Sequence, residues 1–348
     1  MTSKERVRKT ILHRPTDKLA ANLECVPYVA EQLMKRYNFN DFEQVYEKFD
    51  IDIRSVEPDY IGPELKRYYD NGELVQESFW GTLSKQVWTG KEYSGYTFYW
   101  PLDQCETVED VDNYRWPSPD WFDYESVKRK CDRYKDKAII MGHPGPFQVA
   151  TTSIRSMEKL FMDMALNPEV AHRIYDKMVE FELEYYERIF IAADGQIDIL
   201  RPHDDYGTQI SLLFSIDMWK DYFAENTRKL TNLAHKYGAF YMQHSCGAVR
   251  PIIPELIKCG VDVLEPIQKV RGMDPVELKR EFGDKLAFHG GIDTQGVLPN
   301  GTPEDVKKET QYFINTLGAN GGYILMASQG FVRDVPLENI EAMYSVRG

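Results

Sequence analysis

From residue 137 onward the chain repeats one pattern: a short apolar run, a polar cluster, then a longer segment whose apolar residues recur every three to four positions. The short runs lie at 137–141, 197–202, 239–243, 261–264, 286–293 and 322–326. Their length and their flanking Gly, Pro and charged residues predict buried strands, and the longer periodic segments predict helices. The helices fall at 157–193 (at least two), 219–237, 249–259, 274–282 and 303–317. Ahead of this region, 4–12 predicts a first helix with a solvated charged face, ended by Arg14-Pro15-Thr16-Asp17. Apolar runs at 19–26 and 50–56 predict two more strands, with one or two short helices at 27–49 between them. The total is eight strands.

Strict alternation of strand and helix implies a parallel sheet. Eight strands that are apolar on both faces favour a closed barrel over an open sheet, so the expected fold is an α/β, (β/α)8 TIM-type barrel with an N-terminal helical segment. Residues 1–348 form one domain on this reading. Residues 60–101 depart from the pattern: short aromatic segments at 73–77, 81–87 and 96–100, separated by glycines, predict a β-hairpin or small antiparallel sheet. Such an insertion is a lid or a pocket wall, and its aromatic residues read as packing it onto the barrel. Residues 104–135 are helical and polar, with Trp116, Pro117 and Pro119 at a surface bend.

The polar clusters all follow strands and precede helices. They hold His143, His203 through Tyr206, His244 and Cys246, Glu265, His289 and Gln329. All therefore project to the C-terminal end of the barrel, the face where this fold keeps its active sites. His244 and Cys246 are two apart, so on an extended chain ended by Gly247 both leave the same side. An imidazole and a thiolate together suit Zn²⁺ better than Mg²⁺ or Ca²⁺, which prefer oxygen. The motif is short, and a buried cysteine often acts only as a small hydrophobe. Asp204 and Asp205 are adjacent, so at most one faces the pocket centre, as general acid or to orient a metal-bound group. The alternative is a helix cap or an ion pair with Arg201. Tyr206 is a candidate hydrogen-bond donor to substrate, and His143 divides between substrate contact and loop packing.

Composition narrows the partners. The formal net charge is −13 and the pI about 5.1, which argues against nucleic acid or an anionic membrane and fits a polyanionic substrate poorly. Hydrophobic residues at 43% and charged residues at 28% are ordinary for a globular chain. The start is polar, without an apolar leader core, and no apolar run approaches the ~18 residues of a membrane span. Five cysteines without framework spacing read as reduced thiols, and the expected location is the cytoplasm.

Five stretches carry a resemblance: 203–209 (HDDYGTQ), 244–247 (HSCG), 260–268 (GVDVLEPIQ), 289–293 (HGGID) and 334–340 (DVPLENI). In them the chain resembles the uroporphyrinogen decarboxylase superfamily, specifically its zinc-dependent, corrinoid-linked methyltransferases that act as O-demethylases. The likeness covers most of the chain from about residue 138 and is loose before it. It implies a zinc held by His244, Cys246 and a residue in the loop after the last strand, often cysteine. Here that loop reads Ala327-Ser328-Gln329-Gly330, with an amide where the thiolate is expected. Amide oxygen is a poor zinc ligand, so Glu265, ending the neighbouring strand, is the candidate third ligand. His289 and the Gln329 oxygen are the alternatives. The activity implied is transfer of a methyl group from a small methylated compound, such as a methoxylated aromatic, to a corrinoid carried by a separate protein, since 348 residues leave no cobalamin-binding domain. A homodimer is a further expected assembly. Two other readings compete: a decarboxylase, for which the arginine-rich N-terminal motif is absent, and a metal-free binding protein of the same fold.

Overall fold

The computed structural model describes residues 1–89 and 93–347. Eight short strands run parallel in one sheet: β1 (Ala20–Ala21), β2 (Ile53–Ser55), β3 (Ala138–Met141), β4 (Ile199–Leu200), β5 (Phe240–His244), β6 (Val263–Glu265), β7 (Ala287–His289) and β8 (Tyr323–Leu325). Sequential pairing runs from β2 through β8, and β8 pairs with β1. The seam between β1 and β2 is bridged by Asp52, whose N–H donates to the Ala21 carbonyl at 3.0 Å and whose Oδ2 accepts from the Ala21 N–H at 2.9 Å. The result is the expected barrel, nearly closed.

Period-two alternation sorts each strand into an inner and an outer face. Ala20, Ile53, Ala138, Ile140, Ile199, Met242, Val263, Ala287 and Ile324 fill the interior. Their neighbours Ala21, Ile139, Met141, Leu200, Tyr241, Leu264 and Phe288 pack outward against the helices. Val7 and Ile11, from the N-terminal helix Ser3–Ile11, join the inner cluster, so this helix plugs the N-terminal end of the barrel. Its Arg6 is buried against Asp52 and Asp17.

Two positions beyond most of the inner apolar residues the same face becomes largely polar. Asn22, Arg201, His244, Glu265, His289 and Met326 follow Ala20, Ile199, Met242, Val263, Ala287 and Ile324 by two, and so form the next layer toward the C-terminal mouth. The helix predicted at 157–193 is two, Met157–Leu166 and Pro168–Ala193, and Asp274 caps Pro275–Phe282 through its side chain. A C-terminal helix, Leu337–Ser345, completes the outer ring. Among the described residues no helix is long and apolar enough to cross a membrane.

Residues 60–101 hold a four-stranded antiparallel sheet: Arg67–Asp70, Glu73–Glu77, Leu83–Trp88 and Tyr93–Tyr99. Residues 90–92 of the proposed insertion lie outside the described part of the chain. The base of the sheet is tied to the loop after β3, where Thr82 Oγ1 and Trp100 Nε1 donate to the carbonyls of Ser153 and Thr152. Phe79 and Trp80, between its second and third strands, pack it down as expected, with ring centres 6.3 and 5.0 Å from Phe181, but its strand aromatics do not. Tyr68, Tyr69, Trp88, Tyr96, Phe98 and Tyr99 are exposed, because strand propensity fixes the extended backbone and leaves open which face meets the barrel. Trp88 reaches the far rim, 5.8 Å from the guanidinium of Arg333, which itself sits 3.9 Å over Tyr28.

Candidate metal centre at the barrel mouth

The loops after β4 and β5 touch backbone to backbone, and glycine makes this possible. A Cβ on Gly247 would lie 2.6 Å from the Gly207 carbonyl carbon, and one on Gly207 would lie 2.7 Å from the Cys246 oxygen. Gly247 also has φ +89°, a conformation L side chains avoid. The contact brings Asp205 to Cys246, whose N–H donates to Asp205 Oδ1 at 2.7 Å. His244 Nε2 then lies 3.5 Å from both Cys246 Sγ and Asp205 Oδ1. One ligand atom from each of Asp205, His244 and Cys246 lies within 4.8 Å of the others, among the described residues the set able to hold a metal ion.

The opposite edge of the His244 ring faces a second carboxylate. Nδ1 is 3.6 Å from Glu265 Oε2, and Glu265 is buried between His244, Arg201 (3.0 Å) and His289 Nδ1 (3.4 Å). The structure therefore places Glu265 on the far side of the imidazole from Cys246. A carboxylate behind a metal-ligating imidazole is the recurrent way such a ring is oriented. Burial, the largest influence, would raise the Glu265 carboxyl, but Arg201, His289 and His244 together outweigh it and hold it well below the usual range. Burial likewise opposes a charged His244, yet Asp205, Cys246 and Glu265 together raise it well above an ordinary histidine.

Asp204 and Asp205 diverge, as adjacent side chains must. Asp204 is buried, its Oδ1 accepting from the Gln148 N–H at 2.9 Å and its Oδ2 from the Tyr206 hydroxyl at 3.0 Å. Desolvation pushes it up to about 7. Tyr206, 1% exposed, is committed to that contact. Neither Asp204 nor Asp205 pairs with Arg201, which bonds Glu24 (2.6 Å) and Glu265 instead. His143 stacks on Tyr186 and meets Tyr185 at a tilt, with ring centres 5.3 Å away in each case, and its Nδ1 is 2.6 Å from the Pro144 carbonyl; burial lowers it to about 4. The Gln329 amide donates to Cys246 Sγ.

The polar-cluster pattern places His203 at this face but gives it no role, and two further contributors, Arg201 and Glu24, escape a reading of motifs alone. His203 stacks on His244 with ring centres 4.6 Å apart and is lowered to about 4 by burial, then by Arg201 and His244. Arg201 and Glu24 complete the charge network. Their signal was positional, for Arg201 lies two beyond the inward Ile199 and so on the same face. A cavity of about 770 Å³ opens beside the trio, lined in part by Glu24, Thr294, Gln295, Asn300, Gln329 and Asp334.

Residues 102–347 match the family described as uroporphyrinogen decarboxylase (URO-D). The chain belongs to the uroporphyrinogen decarboxylase family. Within it, the chain is 26% identical over 200 residues to a methylated-thiol--coenzyme M methyltransferase of Methanosarcina mazei, covering 57% of this chain and 49% of that protein. It is 25% identical over 214 residues to the methylcobamide:CoM methyltransferase MtaA of Methanosarcina barkeri, covering 61% and 58%. The chain thus spans about half to three-fifths of the length of these curated relatives. A solved methyltransferase structure from Methanosarcina mazei superposes over 100% of this chain and 98% of its own with a TM-score of 0.68 at 17% identity, which establishes the shared barrel of this uroporphyrinogen decarboxylase family member.

Proposed function

We propose that this protein is a zinc-dependent methyltransferase that takes a methyl group from a small methylated compound and passes it to a corrinoid carried by a separate protein. The observation that carries this reading is the convergence of Asp205, His244 and Cys246 at the barrel mouth, beside a cavity large enough for a small substrate. One thiolate, one imidazole and one carboxylate are an ordinary donor set for zinc with a position left open. Zinc bound there would supply Lewis acidity to the heteroatom that loses its methyl group.

The protein's own groups have distinct parts in this scheme. Glu265 holds the His244 ring through Nδ1 so that Nε2 points to Cys246. The Cys246 N–H fixes Asp205, and the Gln329 amide, set against the sulfur, closes the side toward the cavity. Asp204, beneath the mouth and bonded to Tyr206, supports the loop that carries Asp205 rather than meeting substrate. The methyl-transferase names of the relatives agree with this chemistry. A polycarboxylate decarboxylase is less well served, because Arg201 is already bonded by two carboxylates.

Metal analysis of the purified protein tests the proposal. The expected result is about one zinc per chain, lost in Asp205→Ala, His244→Ala and Cys246→Ala, together with methyl transfer to reduced cobalamin from a methylated donor. A wild-type protein that neither contains nor takes up zinc would overturn it.

A further inference from the structure

The cavity beside the metal trio has a charge character of its own. Its lining is Glu24, Cys25, Val26, Thr294, Gln295, Pro299, Asn300, Gln329, Gly330, Val332 and Asp334, which among the described residues includes no lysine, arginine or histidine and no aromatic ring. Such a wall offers nothing to stack an aryl group on and nothing to pair with a carboxylate or sulfonate.

The charge behind the wall points the same way. Arg201 is the cation of the polar layer, and it stands between two carboxylates, 2.6 Å from Glu24 and 3.0 Å from Glu265. Glu265 is sealed, with its side chain 4% exposed, whereas that of Glu24 is 36% exposed and lines the cavity. With His244 neutral as a zinc ligand, one guanidinium cannot neutralise both, so in the metal-bound protein the uncompensated negative charge is presented where the substrate would lie. Gln295, Asn300 and Thr294 add carbonyl and hydroxyl oxygens as acceptors.

We propose that the substrate is a small aliphatic methylated compound whose end distal to the methyl group carries a cationic hydrogen-bond donor, an ammonium, received by Glu24 and the amides around it. This rests on the reading of the adjacent trio as the methyl-transfer site. It sets the chain apart from an enzyme for methoxylated aromatic acids, and from one whose substrate ends in a sulfonate.

The test compares three ligands of similar size, 2-methoxyethylammonium, 2-methoxyethanol and methoxyacetate, titrated into the zinc-loaded wild-type protein by ligand-observed NMR. The ammonium compound is expected to bind about tenfold or more tighter than the carboxylate, with the alcohol between, the scale of one charge-assisted hydrogen bond gained or lost. The order must persist in metal-free protein, which separates recognition by the wall from ligation of the amine to zinc. Glu24→Gln should collapse the preference. Gln295→Lys, at an exposed position of the lining, should reverse it without touching the charge network. Equal or tighter binding of methoxyacetate to the wild type would overturn the substrate class and leave the metal centre standing. Failure of all three to bind a protein shown to hold zinc would overturn the substrate class and the methyl-transfer reading together.

Discussion

Glu265 faces Nδ1 of His244 at 3.6 Å, while Nε2 of the same ring lies 3.5 Å from Cys246 Sγ. The imidazole thus has an anion behind it and, in front, the sulfur with which it would share the proposed metal. Because the two roles sit on opposite ring edges, substitutions should separate them. Glu265→Gln keeps the shape and removes the charge, so zinc should still bind, roughly 10- to 100-fold more weakly, as seen when outer partners of metal ligands are lost. Competition with a chromophoric chelator measures this. Complete loss of zinc in Glu265→Gln would mean that Glu265 is itself a ligand. Glu265→Ala is a poorer probe, since beyond the charge it also removes the oxygen that accepts from Arg201 and leaves a cavity in a buried site.

Gln329 stands against the Cys246 sulfur, at the edge of the cavity. Replacing its amide with a thiolate should strengthen the site, because thiolate is the better zinc donor. Gln329→Cys is expected to hold zinc more tightly. With Co²⁺ in place of zinc, the thiolate-to-metal absorption should roughly double as one sulfur becomes two. An unchanged spectrum would show that position 329 does not reach the metal.

Much of this architecture was legible in the chain, and the reasons differ by residue. The eight strands and the shared face of His244 and Cys246 follow from period two, a local property. Which of Asp204 and Asp205 meets His244 and Cys246 did not follow, because β4 ends at Leu200 and the alternation cannot be carried through four further loop residues. Glu265 looked like a ligand because it ends the neighbouring strand. Its side of the ring depends on the pairing of His244 with Glu265 across β5 and β6, a long-range fact. The roles of Glu24 and Arg201 needed the barrel to close, since 177 positions separate them. The outward aromatics of the inserted sheet show the same limit, for alternation predicts two faces without naming the one that is covered.

Glu182, on the long helix Pro168–Ala193, is fully buried, and neither carboxylate oxygen has a hydrogen-bond partner. Desolvation, then the nearby Asp204, raises its pKa well above the ordinary carboxyl value. Below about pH 4.3 the group is protonated both folded and unfolded, and stability is indifferent to it. Above that, the unfolded chain releases the proton while the folded one keeps it, so stability falls by about 1.4 kcal/mol per pH unit until the folded group also ionises. Glu182→Gln removes this slope. Urea unfolding at pH 5 and pH 8 should show the variant losing less stability between the two than the wild type, with the contribution of Asp204, raised to about 7, present in both. Parallel losses would show that Glu182 is ionised in the folded protein.

Gly247 supplies the closing test of how the metal centre is assembled. Its positive φ alone costs an added side chain about 1–2 kcal/mol, and the Cβ would meet the Gly207 carbonyl carbon and the Thr208 oxygen at 2.6 Å. Those atoms are backbone and cannot swing aside. Relief must come from moving the loop after β4 away from the loop after β5. The bond from the Ala248 N–H to the Thr208 carbonyl, now 2.8 Å, would be the first to lengthen, and the bond from the Cys246 N–H to Asp205 would follow. Gly247→Ala should therefore lower both stability and zinc affinity, although it alters no metal-binding side chain. Gly195→Ala is the control: its φ of +77° carries a similar conformational cost, but a Cβ there meets nothing within 4 Å. It should lower the melting temperature modestly and leave zinc binding intact. If both variants lose stability but neither loses zinc, the two loops do not need their glycine contact to bring Asp205 to Cys246.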